Sequence, residues 1–361
     1  WEHFLHNQSA LRLKARLLPK PPQPVLLQSG KGMLFHEGVL GRALTRDSTV
    51  RLSARLDERL LYDVSAKTDS AGRRVTPCDC PPGEDVRIAA FFGCSMTFGQ
   101  GVEDHETLPA RFCAHNAGWQ AHNYGVSGYG PQHMWLQICK LKALKEFSGR
   151  TGVVVYSYID HHLQRLVGAH AVVSIWNDSL PWLEVENGRI VHCGTFWERS
   201  PLMAFYYRHI RPGAHLALFL ENHLPRRSPG GSQEDAVLDL LTQLVVECGQ
   251  ETRIQAPGLT FYVLILPTCG GPLRGRLLSR LEKAGIRVLD YESLFEETHL
   301  PEEDLFFHDS PQGKLGHFKA TGYDIVARRL VVDAVPAPIA PDANLATPPA
   351  GGAKAPAGSG R

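Results

Sequence analysis

The sequence lacks several features that would assign it to a simple class of protein. Its 38 Lys and Arg residues are balanced by 37 Asp and Glu residues, which leaves a formal charge of +1. We therefore expect no nucleic-acid partner, because such binding needs a basic surface. The sequence also has no run of the roughly 20 apolar residues that a membrane span requires.

Paired Cys-x-x-Cys spacings are absent as well, although the chain contains eight cysteines. Since the common zinc sites need such pairs, we expect no metal, and no motif calls for a cofactor. Most of the cysteines stand in apolar segments, where a buried free thiol is the usual state. In an exported protein, Cys78 or Cys80 could form a disulfide with a distant partner such as Cys113.

No signal peptide is visible, but the chain starts at Trp1 rather than at methionine. We expect that a signal or a membrane anchor can precede this start. A cytoplasmic and a cell-envelope location both stay open, and the sequence predicts no oligomeric state.

Apolar runs alternate with helical patterns over residues 85–335 and predict one α/β domain. The predicted strands are residues 86–92, 119–124, 153–159, 260–266 and 287–290, and the predicted helices are residues 107–117, 131–147, 234–248 and 277–284. Buried strands that alternate with helices predict a parallel sheet covered on both faces.

Three further segments flank or interrupt this domain. Residues 1–84 predict a short helix and then a strand-rich extension that is too small to hold its own core. An insertion at about 166–224 contains a hairpin signal, Asn187-Gly188, and many aromatic residues that could stack on sugar rings or form an ordinary apolar cover. The Pro/Ala/Gly-rich tail, residues 336–361, predicts disorder.

The segment 89–102 carries the main chemical signal, because an apolar strand ends there at Gly93-Cys94-Ser95. A serine at the carboxyl end of a strand lies where open α/β sheets bind ligands. The turn after it can direct N–H groups at a developing negative charge. Phosphate-binding loops fit less well, since five residues separate Gly93 from Gly99 and no lysine follows. A serine that only caps the next helix is the other interpretation.

Two more motifs follow in order, Asn-x-Gly-x-x-Gly at residues 123–128 and His-x-x-x-x-Gly-Tyr at residues 317–323. With the Gly-x-Ser, they resemble the SGNH (GDSL-like) hydrolase superfamily over residues 85–333. Residues 61–64 and 68–77 are similar to the strand-rich lead-in of a bacterial branch of that family. The resemblance implies a flavodoxin-like, three-layer α/β fold of the SGNH hydrolase type, and a serine esterase without a cofactor.

The resemblance also implies a role for each matching residue. Ser95 matches the nucleophile, and its own N–H is one oxyanion donor. Gly128 matches a second oxyanion donor through its backbone N–H. His317 matches the general base, which takes the proton from the Ser95 hydroxyl and returns it to the leaving alcohol.

Two departures from the family pattern concern the oxyanion side of the site. Cys94 stands where the family has aspartate, and we expect it to be a packing residue. The third motif lacks its asparagine, and Asp160-His161-His162 follow the strand instead. Either His161 or His162 serves as the replacement donor, or these polar residues only satisfy the end of the strand.

A third departure concerns the acid of the triad. Lys314 stands three residues before His317, where the family has its carboxylate. A loop could bring Asp309 to the imidazole. Otherwise a backbone carbonyl orients the ring, which leaves a Ser-His dyad.

The motifs together predict an esterase that forms an acyl-Ser95 intermediate. Its expected partner is a small-molecule or glycan acyl ester, for example an O-acetyl group on a carbohydrate. Two alternatives stay open: an O-acyltransferase that uses the same site, and an SGNH-fold binding protein with weak or no catalysis.

Overall fold

The structure is a computed structural model of the 361-residue chain. It describes residues 26–29, 33–80, 86–167, 179–199, 201–205, 231–268, 271–307 and 316–334. The predicted helix before residue 25 and the tail 336–361 lie outside these residues. No helix within the described ranges is both long enough and apolar enough to cross a membrane.

The described residues form twelve strands and ten α-helices. The strands are β1 Leu26–Ser29, β2 Leu34–Glu37, β3 Gly41–Leu44, β4 Thr49–Leu56, β5 Arg59–Lys67, β6 Arg87–Phe92, β7 Trp119–Asn123, β8 Gly152–Tyr158, β9 Pro181–Glu186, β10 Arg189–Thr195, β11 Leu259–Ile265 and β12 Arg287–Asp290. The helices are α1 Ser95–Phe98, α2 Leu108–Ala114, α3 Pro131–Trp135, α4 His161–Leu166, α5 Phe196–Arg199, α6 Pro201–Phe205, α7 Gly231–Gln255, α8 Arg274–Lys283, α9 Glu302–Leu305 and α10 Ala320–Ala334.

A five-stranded sheet in the order β12-β11-β8-β6-β7 forms the centre of the molecule, and all of its pairs are parallel. Numbered along the chain, this order is 5-4-3-1-2, which is the flavodoxin-like arrangement. The central strand β8 is buried at every position after Gly152, so both faces of the sheet are covered. The predicted fold class is therefore confirmed.

Helices in two groups cover this sheet. Helices α2 and α10 pack against each other, and helix α7 packs against α3, α8 and strand β11. Aromatic side chains of the sheet strands take part in this packing: Phe112 of α2 contacts Phe91 and Trp119 edge to face, and Phe92 stacks on Tyr124. Such aromatic pairs add to the free energy gained by burying their area.

The predicted helix over residues 131–147 is wrong in its second half. After α3 the chain makes a π-helical turn, Leu136–Lys140, and then a separate 3-10 turn, Ala143–Phe147, with Lys142 at φ 57° between them. Gln255 of α7 accounts for the break: its Nε2 donates to the Ile138 carbonyl at 2.7 Å, and its Oε1 accepts from the Leu144 N–H at 3.2 Å. These backbone groups are thus bonded to the neighbouring helix instead of to their own.

The strand-rich N-terminal extension is present. Strands β1, β4 and β5 form one antiparallel sheet, and β2 and β3 form a second one. The Ser65 N–H donates to the Glu103 carboxylate and the Lys67 N–H donates to the Asp104 carboxylate, each at 3.3 Å. The extension is therefore joined directly to the segment that follows α1.

The predicted hairpin in the insertion is confirmed as β9 and β10. Its turn residues have φ 51° at Asn187 and 75° at Gly188, which is the pair of left-handed conformations that a type I′ turn needs. The Ile190 N–H donates to the Glu247 carboxylate of α7 at 3.1 Å and holds the hairpin against the domain.

Candidate active site

Ser95 lies at the carboxyl edge of the central sheet. Strand β6 ends at Phe92, and Ser95 is the first residue of α1, while Cys94 occupies the N-cap position. Since Ser95 follows the cap position, the interpretation of Ser95 as a helix-capping residue does not fit. Its side chain is buried apart from a small exposed fraction of 6%.

The structure brings the predicted nucleophile and the predicted base together. The Nε2 atom of His317 lies 2.8 Å from the Oγ atom of Ser95, and the two residues are 222 positions apart in the chain. This distance is within the range over which an imidazole can take a hydroxyl proton. Half-burial of His317 keeps the pair close to the surface.

A short backbone ladder holds His317 in place. The Phe307 N–H donates to the His317 carbonyl at 2.8 Å, and the Gly316 N–H donates to the Phe307 carbonyl at 3.0 Å. The next residue, Phe318, is fully buried, and its ring contacts other aromatic rings, those of Phe295, Phe306 and Tyr323. Ring packing on one side and the ladder on the other therefore fix the backbone of the histidine.

Asp309 and Lys314 lie within residues 308–315, which are outside the described residues. Asp309 as the acid behind His317 therefore stays a prediction, and so does the dyad.

The loop that carries Gly128 is tied to α1 by Asn123, a residue whose role the sequence did not reveal. The fully buried Asn123 donates through Nδ2 to the Thr97 carbonyl at 3.0 Å and accepts through Oδ1 from the Gly125 N–H at 3.0 Å. Gly128 itself has φ 90°, a conformation that disfavours every side chain larger than a hydrogen atom. The second motif thus supplies a clamp as well as the predicted oxyanion glycine.

The two candidate histidines after β8 occupy different environments. His162 is fully buried, and its Nδ1 lies 2.7 Å from the Tyr156 hydroxyl. Burial lowers the pKa of His162 well below its usual value. His162 therefore occupies a packing position and is not part of the candidate site. His161 is half-buried and stays a candidate oxyanion donor.

Asp160 has a structural role in this loop. The Gly271 N–H and the Tyr158 hydroxyl donate to its carboxylate, and burial nevertheless raises its pKa. Asp160 therefore fastens the end of β8 to the loop after β11, which agrees with the interpretation that polar residues satisfy the strand exit.

The cysteines contribute packing. Cys94 is fully buried, which confirms the expectation that it packs. Cys78 and Cys113 are free thiols that share a hydrogen bond, so the structure places the predicted pair side by side. Cys139 and Cys248 form a second pair, with their sulfur atoms 4.0 Å apart.

Arg74, which the sequence did not single out, braces the turn after Ser95. Its side chain is completely buried and sits over the Phe98 ring. Nη1 donates to the carbonyls of Phe98 and Gly99 at 2.9 and 2.6 Å, Nη2 donates to the Val102 carbonyl at 2.7 Å, and Nε donates to the Asp104 carboxylate at 2.8 Å. A planar fork of donors is suited to several acceptors at once. The turn after the serine is thus fixed by a residue of the extension.

One cluster among the described residues has donor atoms close enough to hold a metal ion: Glu184, Glu186 and Cys193 on the β9–β10 hairpin, with their ligand atoms within 4.8 Å of one another. Glu184 already accepts from the Trp182 indole at 2.8 Å and pairs with Arg199 at 2.8 Å. Exposed carboxylates of this kind are common without a metal, and the cluster does not include Ser95 or His317.

Comparisons with known proteins find similarity in structure alone, because no family model and no curated protein matches the chain. A member of the lipolytic protein G-D-S-L family from Veillonella parvula is 13% identical with a TM-score of 0.36, covering 68% of this chain and 97% of that one. A carbohydrate esterase family 2 enzyme with a carbohydrate binding domain, from Corynascus thermopiles, is 11% identical with a TM-score of 0.36, covering 87% and 94%. An acetyl xylan esterase from the rumen bacterium Butyrivibrio proteoclasticus is 11% identical with a TM-score of 0.35, covering 74% and 66%. Similarities this low do not identify the function of this chain.

Proposed function

We propose that the protein is a serine esterase of the SGNH type. The observation that carries the proposal is the 2.8 Å contact between Ser95 Oγ and His317 Nε2 at the carboxyl edge of a parallel sheet. It is supported by the ordered motifs around Ser95, Gly128 and His317, because the segment that begins at Ser95 contacts both of the other motifs.

The reaction then proceeds by acyl transfer through the serine. Ser95 Oγ attacks the ester carbonyl carbon while His317 Nε2 takes the hydroxyl proton. The N–H groups of Ser95 and Gly128 donate to the oxyanion that forms. The intermediate collapses to acyl-Ser95, and His317 gives the proton to the leaving alcohol. Water activated by His317 then releases the acid and restores the serine.

The acyl acceptor distinguishes two versions of this chemistry. Water gives a hydrolase, and the hydroxyl of a second substrate gives an O-acyltransferase with the same first half-reaction. For the substrate we propose a small acyl group, such as acetyl, on a carbohydrate. The support is the number of aromatic residues in the insertion, among them the half-buried Trp182 of strand β9, whose ring packs edge to face against Phe196 at 4.5 Å.

Labelling with a fluorophosphonate serine probe tests the proposal. Wild type, Ser95→Ala and His317→Ala are incubated with the probe, and the labelled serine is identified by peptide mass spectrometry. We expect covalent labelling of Ser95 in wild type, none in Ser95→Ala, and labelling at least about a hundredfold slower in His317→Ala, because the base supplies that much activation.

A folded wild-type protein that the probe does not label contradicts the proposal and favours the binding-protein alternative. If Ser95 is labelled, p-nitrophenyl acetate with and without an added sugar acceptor separates a hydrolase from a transferase. A transferase yields the acetylated sugar, whereas a hydrolase yields acetate alone.

A further inference from the structure

The N-terminal extension reaches the oxyanion side of the candidate site through a chain of three side chains. Gln100, in the turn after α1, donates through Nε2 to the Tyr62 hydroxyl at 3.2 Å. The Ser127 hydroxyl donates to the Oε1 atom of the same amide at 3.0 Å. Tyr62 belongs to strand β5 of the extension, and Ser127 directly precedes Gly128.

These contacts are fixed at both ends. Tyr62 is 6% exposed and Ser127 is 7% exposed, so both side chains are largely shielded from solvent. The Tyr62 ring also lies edge to face with Phe307 at 5.3 Å, and Phe307 is the residue whose backbone pairs with His317. A single tyrosine of the extension therefore contacts both the turn after the nucleophile and the segment that holds the base.

The position of Ser127 links this chain of contacts to the orientation of the Gly128 N–H. The peptide group between Ser127 and Gly128 carries the Gly128 N–H, and Gly128 has φ 90°. A hydrogen bond that anchors the Ser127 side chain restricts rotation of that peptide plane. An oxyanion donor is effective only when its N–H already points at the position where the charge will develop.

We infer that Tyr62 and Gln100 are positioning residues, which hold the Ser127–Gly128 peptide so that its N–H meets the oxyanion. This inference rests on the proposed function and extends it: the extension is part of the catalytic apparatus. Because removal of a complete oxyanion donor costs about 10²–10³ in rate, we expect a misaligned donor to cost about tenfold.

The experiment compares probe-labelling kinetics in Tyr62→Phe, Gln100→Met, Ser127→Ala and the double variant Gln100→Met/Ser127→Ala. The matched control is Gln243→Met, since Gln243 on α7 is also half-buried and donates to the Gly188 carbonyl at 2.9 Å, on the hairpin. Thermal unfolding of every variant separates folding from chemistry, and Tyr62→Phe retains the ring that packs against Phe307.

We expect the maximal rate constant of Ser95 labelling to fall about tenfold in Gln100→Met, with an unchanged probe concentration at half-maximal rate. The same rate constant also falls in Tyr62→Phe, and it does not change in Gln243→Met. The double variant is no slower than the slower single variant, because both changes break one chain of contacts.

Three results overturn the inference while leaving the proposed function intact, all with a labelled wild type. The first is a labelling rate constant that is unchanged in both Gln100→Met and Tyr62→Phe. The others are rate losses of the two single variants that multiply in the double variant, and a rate loss in Gln243→Met as large as that in Gln100→Met. A wild type that the probe does not label overturns the proposed function and this inference together.

Discussion

At the scale of single residues, Arg74 is a buried charge whose three guanidinium nitrogen atoms all donate hydrogen bonds. Its guanidinium donates to three carbonyls, one at the end of α1 and two in the turn that follows, and to the Asp104 carboxylate. Burial lowers the pKa of Arg74, and the attraction of Asp104 opposes this effect. Removal of one partner from such a buried arrangement leaves the other charge and carbonyls without compensation.

Arg74→Lys is therefore expected to reduce the free energy of unfolding by about 3 kcal/mol, because an ammonium group cannot reproduce the planar fork. Chemical denaturation measures this loss. Arg51→Lys is the matched control, since Arg51 pairs with Asp63 but is 76% exposed, and solvent screens such a pair so that it contributes little to stability. Equal effects of the two changes would contradict the bracing role of Arg74.

Asn123 has a comparable role between α1 and the Gly128 loop. Asn123→Ala leaves the buried Thr97 carbonyl and Gly125 N–H without this partner, at an expected cost of about 2 kcal/mol. We also expect slower probe labelling of Ser95. The control is Asn116→Ala, because the Nδ2 of Asn116 has no hydrogen-bond partner among the described residues. A stability loss in Asn123→Ala no larger than in Asn116→Ala would argue against the clamp.

At the scale of elements, the sequence predicts the strands of the sheet to within one residue. Strands β6, β8 and β11 are marked by mostly apolar runs, whereas β7 and β12 are short and mixed in polarity. The predicted helix over residues 131–147 fails because a side chain from α7, more than a hundred positions later, takes its backbone groups. Helical periodicity describes only local neighbours, so it cannot report such a partner.

The same distinction applies to the candidate site. Ser95, Gly128 and His317 stand in short motifs and could be found from the sequence. The hydrogen bonds that join Arg74 and Tyr62 to the segment 98–104 span 24 to 38 positions and arise only when the extension docks on the domain. No local pattern marks these two residues.

Gln255 provides a prediction about the broken helix. Gln255→Leu retains the size of the buried side chain but leaves the Ile138 carbonyl and the Leu144 N–H without their partner, so the free energy of unfolding is expected to fall by about 2 kcal/mol. Urea denaturation measures the change. Gln250→Leu on the exposed face of the same helix should alter stability by less than about 0.5 kcal/mol. A Gln255→Leu protein as stable as wild type would rule out this cause of the break.

At the scale of the whole molecule, buried neutral histidines make stability depend on pH. Burial lowers the pKa of His122 to about 4, with help from the cations Arg73 and Arg150. Burial also lowers the pKa values of His133 and His162 well below the usual value. The His133 ring accepts from the Gly130 N–H through Nδ1, which requires the neutral imidazole. Each of these groups binds a proton more readily in the unfolded chain than in the folded one.

The free energy of unfolding therefore has its full value above about pH 6.5, the pKa of histidine in the unfolded chain. It declines as the pH falls from there toward the pKa of the folded state. Between pH 7.5 and pH 5, His122 alone is expected to reduce the free energy of unfolding by about 2 kcal/mol. Urea denaturation at both pH values measures this decline. His122→Phe should make the decline smaller by about that amount, and an unchanged pH dependence in this variant would show that His122 is not responsible.

The separation of Ser95 from His317 along the chain also determines when the proposed pair can form. The hydrogen bond between them closes over 222 positions, and strands β8, β11 and β12 lie between the two residues. Contacts of such long range form late, because closing a long loop costs entropy before the contact is made. During synthesis, Ser95 leaves the ribosome long before His317 does. Ser95 therefore lacks this partner in a growing chain, and the proposed nucleophile can first be activated when the segment that carries His317 has been made and has packed onto the sheet.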